Sequence, residues 1–181
     1  MKPVKETMTQ SFYDLSVASY LQILGGVQTT LARAVEFAGN NPLNLDELVH
    51  VRLHDDMAPL SFQLVSVWHH SLGSIKGMET GVFGPPPKMP AMTFDGLRNL
   101  ISEAEEFLQG LSREEVEALS GRPMVFRMGE LEIPFTTDNF LSSFSLPNFH
   151  FHTTTSYAIL RQHGVPLGKR DFLGQLRVGA E

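Results

Sequence analysis

The sequence predicts an all-α fold, a four-helix bundle with a small β-hairpin inserted before its last long helix, and three observations predict it. Four long segments place apolar residues three and four apart, the repeat of a helix with one buried stripe. One short stretch around Gly129 alternates with a period of two instead. Glycine and proline clusters punctuate the chain between these segments, where a helix has to stop.

The first helix is expected from Thr9 to Gly39, with Phe12, Leu15, Tyr20, Leu24, Val27, Leu31 and Ala34 on its stripe. Gly25 and Gly26 interrupt it. Each costs about 1 kcal/mol relative to alanine, so the pair predicts a bend or a close crossing. Asn44 suits the cap of a short helix through Val49. A second long helix follows, capped by Asp55 or Asp56, with Pro59 in its first turn and an end near Met78. Four prolines in the stretch 81–90 prevent any continuation. Thr93 opens the third long helix, through Leu108, and Ser112 with Glu115 forms a capping box for a further short one. The stretch 124–134 reads as the hairpin. The fourth long helix is expected from Thr137 to Gly164, kinked or split by Pro147 about one turn before His150 and His152. Leu167, Phe172 and Leu173 predict that the tail packs back on the bundle, with residues 175–181 disordered. The whole chain, residues 1–181, reads as a single domain.

Composition narrows the function. A net charge of −6 and a pI near 5.6 argue against a nucleic-acid binder, which needs a basic face, and an acidic substrate would need a local basic patch. No stretch reaches the roughly 20 apolar residues of a membrane span, and the first residues lack the apolar core of a signal peptide. A cytoplasmic protein is expected. Without cysteine, any metal site has to use imidazole, carboxylate or amide donors, which leaves zinc, nickel, manganese or iron(II). No nucleophile elbow, phosphate loop or dinucleotide fingerprint is present.

The segment Leu146–Gly164 carries the chemistry. On a helix Asn148 and His152 share a face, whereas His150 and His152 point roughly 200° apart, so the His-x-His pair is not a two-ligand motif. If His152 faces the interior with Thr155 and Ile159, His150 lies toward a different neighbour or solvent. On the second helix His69 and His70 are about 100° apart, so at most one faces His152, and spacing leaves open which. Gln63, seven residues before His70, shares its face. His50 and His54 have a metal-ligand spacing without the glutamate of a metalloprotease between them, and His163 suits a helix C-terminus.

From Pro147-Asn-Phe-His-Phe-His-Thr-Thr-Thr-Ser-Tyr-Ala-Ile-Leu-Arg161 through Gly164-Val165 to Leu167-Gly-Lys-Arg-Asp-Phe-Leu-Gly174, the sequence resembles an uncharacterised domain-of-unknown-function family related to DinB/YfiT-like proteins. Ser11-Phe-Tyr-Asp14 and the stretch 53–63 extend the resemblance over most of the chain. It implies a DinB-like four-helix bundle, often a homodimer. It also implies a divalent metal held by a second-helix histidine and a last-helix His-x-x-x-His pair, serving thiol-dependent transfer or isomerisation. Carried over, those positions are His69, Asn148 and His152, and asparagine at the middle one departs from the pattern.

The expected activity is that of a small-molecule transferase or isomerase, in which His69, His152 and Asn148 hold the metal and a low-molecular-weight thiol is the co-substrate. Tyr157 would join His152 in catalysis, and Asn148, Thr155 and Trp68 would contact substrate. In a metal-free alternative, an isomerase or lyase, His152 is a general acid/base and Asn148 donates to an oxyanion. A non-catalytic dimeric ligand-binding protein is the third reading.

Overall fold

Capping opens the chain, for Ser11 accepts from the backbone N–H of Asp14 while the Asp14 carboxylate accepts in return, and α1 (Phe12–Leu15) begins there. The computed structural model describes residues 10–179, so Thr9 lies outside it. The single helix expected over 9–39 is two helices. Ser16 turns its hydroxyl back to the Phe12 carbonyl at 2.6 Å and leaves helical geometry, and α2 (Val17–Asn40) starts afresh. Gly25 and Gly26 do not break α2. Gly26 marks a close crossing instead: a β-carbon there would stand 2.9 Å from the carbonyl carbon of Phe172.

Asn44 caps α3 (Leu45–Leu48) through its side-chain oxygen. The second long helix is not capped by Asp55 or Asp56. It begins after Pro59, because the first free amides, Leu60 N and Ser61 N, donate to the carbonyls of Val51 and Val49 and need no acidic cap. It runs as α4 (Leu60–Trp68), a π turn (His69–Gly73) and α5 (Ser74–Thr80), and stops at Gly81 with φ of 76°.

A two-residue strand β1 (Val82–Phe83) follows, which the sequence reading had assigned to an irregular connection. After α6 (Phe94–Gln109) and α7 (Arg113–Glu117) come β2 (Pro123–Met128) and β3 (Leu131–Thr136). These two form the hairpin, turning at Gly129 with φ of 60°. Because β1 lies parallel to β2, the sheet has three strands in the order β1-β2-β3. The chain is thus mostly helical with a small sheet.

The last long helix is continuous but not regular. It consists of α8 (Thr137–Phe140), a second π turn (Leu141–Ser145) and α9 (Leu146–Gln162). Pro147 cannot donate a backbone hydrogen bond, and the ladder widens into the π turn just before it. Gly164, with φ of 89°, ends the helix, and α10 (Lys169–Leu173) brings the chain back across α2.

The core lies where α2, α4, α6 and α9 meet, filled by Tyr20, Leu24, Leu31, Leu64, Ile101, Phe149 and Ile159. Burying each such side chain contributes about 1.5–3 kcal/mol. Among the described residues no helix is long and apolar enough to cross a membrane.

Candidate functional site

The two π turns face each other, and the polar groups they release are joined through one buried tyrosine. Ser145, in the second turn, donates to the backbone carbonyl of His70 in the first, at 2.9 Å. The Tyr20 hydroxyl lies 2.8 Å from the Ser145 hydroxyl and accepts from Ser74 at 3.1 Å. All three side chains are fully buried, and burial pushes the Tyr20 pKa up to about 12 against the opposing serine contacts. This knot fixes the backbone of His70 relative to the last helix.

The His70 side chain then lies against His152, their rings stacked at 5.9 Å and 19°. His152 Nδ1 sits 2.7 Å from Gln63 Oε1, and Gln63 Nε2 donates to the Ala58 carbonyl at 2.9 Å. That second bond orients the buried amide, so its oxygen must accept and His152 must carry its proton on Nδ1. The Nε2 of His152 is left with its lone pair. Burial lowers the His152 pKa to about 4. His70 is held at about 3, first by burial and then by the neighbouring His69 and His152, and its Nδ1 is buried with no hydrogen-bond partner. Both rings are neutral imidazoles at physiological pH.

Phenylalanines enclose the pair. Phe83 from β1 and Phe144 from the second π turn lie 5.4 and 5.9 Å from the His70 ring, and Phe126 of β2 packs on Phe144 at 4.9 Å. The small sheet therefore serves as an aromatic wall behind the histidines. Phe62 and Phe151 flank His152 at 6.0 and 5.3 Å, and they remain 43% and 55% exposed.

His69, the residue carried over as a metal ligand, turns the other way. Its Nε2 is 2.8 Å from the Gly84 carbonyl and its ring stacks on Phe83 at 4.4 Å, while burial lowers its pKa against that hydrogen bond. Gly73 makes room for it, since a β-carbon there would stand 2.9 Å from Nδ1. Asn148 donates to the Phe144 carbonyl at 2.7 Å, which it satisfies beside Pro147. His69, Asn148 and His152 therefore do not converge on a common point. Among the described residues no group of three or more His, Asp or Glu is arranged to hold a metal ion.

The other expected residues make contacts of their own. Tyr157 packs edge-on against Phe172 at 5.9 Å, beneath the returning tail. Thr155 donates to the Phe151 carbonyl of its own helix. Trp68 stands beside His69 with its indole N–H buried and unpartnered. His150 is exposed, His54 pairs with Asp56, and His163 Nδ1 lies 2.9 Å from the Ile159 carbonyl near the helix end. Ser145 and the flanking Phe62 and Phe151 carry no periodic signal that marks them for the site, and Tyr20 reads from its spacing only as a core residue. The seven-residue spacing of Gln63 and His70 was the signal for the face that now holds His152.

The family described as a domain of unknown function (DUF1993) matches residues 12–173. A crystal structure of a DinB family member from Shewanella denitrificans is similar in fold, with a TM-score of 0.76 and 26% identity, covering 93% of this chain and 95% of that one. No curated protein matches the sequence.

Proposed function

The chain belongs to the DUF1993 family, a family of unknown function, and from that premise we propose that it is a metal-independent isomerase or lyase acting on a small molecule, with His152 as its general acid/base. The observation that carries this reading is the Ala58–Gln63–His152 relay, which commits Nδ1 of a partly exposed imidazole and leaves Nε2 with a lone pair. We read the four long helical segments as a DinB-like four-helix bundle, with this centre between the second and the last.

His152 Nε2 takes a proton from a carbon next to an electron-withdrawing group and returns it at another position, or leaves it on a departing group. A resting pKa near 4 makes His152 a weak base that is always in its basic form at neutral pH. Negative charge developing on the substrate favours the imidazolium, so basicity rises as the proton moves. Gln63 holds the ring in the reactive tautomer throughout. The Asn148 amide serves a backbone carbonyl and is not free for the oxyanion contact first expected of it, while His70 supports the His152 ring by stacking on it. The exposed faces of Phe62 and Phe151 suit a flat, apolar substrate body.

The test combines elemental analysis with exchange. Untagged protein, treated with a chelator, is incubated with a panel of small carbonyl compounds in deuterated water, and deuterium incorporation is followed by NMR. Exchange that survives the chelator and is lost in His152→Ala supports the reading. Near-stoichiometric metal that disappears in His152→Ala would overturn it in favour of a metal-centred transfer.

A further inference from the structure

A groove of about 370 Å³, lined by Phe62 but not by His152, lies between α4 and the strap of residues 86–92. Its volume is within the range of small-ligand sites. The helix contributes Phe62 and Val65, the strap contributes Met89 and Met92, and neither wall offers a carboxylate. Pro86, Pro87 and Pro90 make the strap stiff and deprive it of backbone donors, so that wall is apolar by construction. The methionines add side chains that adapt to the shape of a guest.

One charge stands at this groove. Lys88 lines it, is exposed, and forms no ion pair among the described residues. In a chain of net charge −6, an unneutralised cation beside an apolar trough is a local reversal of sign. His50 and Ser61 supply the remaining polar lining, and both can donate to an anionic group.

We propose that this groove binds a small amphipathic anion, an apolar chain or ring carrying one carboxylate, with the apolar part against Val65 and Met92 and the carboxylate at Lys88. The site is separate from the acid/base centre and stands whether or not that centre is catalytic. Phe62 is the wall they share.

Isothermal titration with octanoate, octanol and octylamine tests it. Octanoate binds tightest, octanol more weakly, and octylamine weakest of the three. Lys88→Gln weakens octanoate by about fivefold, the upper end for an exposed ion pair, and leaves octanol unchanged. Val65→Trp fills the trough and abolishes binding; Ser61→Trp, at a half-buried position, does the same with less risk to folding. His152→Ala leaves octanoate binding intact, which separates this proposal from the acid/base reading. Absence of octanoate binding, binding that persists in both tryptophan variants, or equal binding of octylamine would overturn it.

Discussion

His70 belongs to two polar arrangements that differ in how completely their hydrogen bonds are made. Its backbone carbonyl closes the Tyr20–Ser145–Ser74 knot, in which each hydroxyl has a buried partner. Its side chain enters the pair with His152, in which Nδ1 has none. An unpaired buried polar atom costs about 1–3 kcal/mol, whereas a made hydrogen bond returns only about 1. The knot is therefore the kind of polar cluster that stabilises and specifies a fold, and the pair carries an unrecovered cost that the proposed acid/base role would explain. The two meet at one residue, which is how a rigid backbone comes to hold a loosely satisfied side chain.

The largest expected effect breaks the knot. Tyr20→Phe removes the shared hydroxyl and both its serine contacts, leaving Ser145 on the His70 carbonyl and Ser74 on the Ser71 carbonyl, and the loss in urea unfolding should be about 1–3 kcal/mol. The His152 pKa measured by NMR should not move, because the knot holds backbone and not that ring. A loss below about 0.5 kcal/mol would mean the knot is not a stabilising unit.

Acid sharpens the contrast from the other side. His70, His152 and His69 have folded-state pKa values below the ordinary 6.5, through burial. Between the unfolded and folded values the unfolded chain binds more protons, so stability is complete above about pH 6.5 and falls as pH drops toward 4 and then 3. The carboxylates with lowered values, Asp14 at about 2 together with Glu115, Glu117 and Asp138, act only below their own ordinary 3.8–4.5. The interval from pH 4.5 to 6.5 is thus the histidines' own, and a His70→Leu/His152→Leu double variant should show a shallower fall of the unfolding midpoint across it, the remainder belonging to His69 and His150, which burial also lowers. A slope equal to that of the unaltered chain would remove burial of these rings as its cause.

How much of this was legible depends on whether the signal was periodic. Helical spacing gave the long segments, and the Gln63–His70 interval gave the face that receives His152. The choice between His69 and His70 was not legible, because it turns on the π turn at residues 69–73, whose extra width has no sequence period of its own. The first π turn is held by Ser145 from 75 residues away, a tertiary bond that no local pattern announces. Strand β1 was hidden for a related reason: two residues cannot show alternation, and Val82–Phe83 is a strand because β2 is there to pair with it. The expected acidic cap at Asp55 or Asp56 failed because backbone carbonyls of Val49 and Val51 took the role first.

A smaller effect is expected at the relay. Gln63→Leu deletes the acceptor of His152 and the donor to Ala58, and should cost about 1–2 kcal/mol while abolishing deuterium exchange. Gln63→Glu places a carboxylate where the amide oxygen was, and the His152 pKa should rise from about 4. An unchanged titration in Gln63→Glu would show that Gln63 does not hold the ring.

The smallest effect is the most diagnostic. His70→Leu fills similar space without a polar atom, so it relieves the unpartnered Nδ1 and gives up stacking on His152 and the tilted contact with Phe83. The two terms oppose, and the net change in unfolding free energy should lie within about 1 kcal/mol of zero, with exchange activity lost. The backbone carbonyl that Ser145 holds is untouched by this change, so the knot remains intact. A loss above about 2 kcal/mol would mean that the side chain is as structural as the carbonyl beside it, and the difference between the two arrangements would then not mark a functional site.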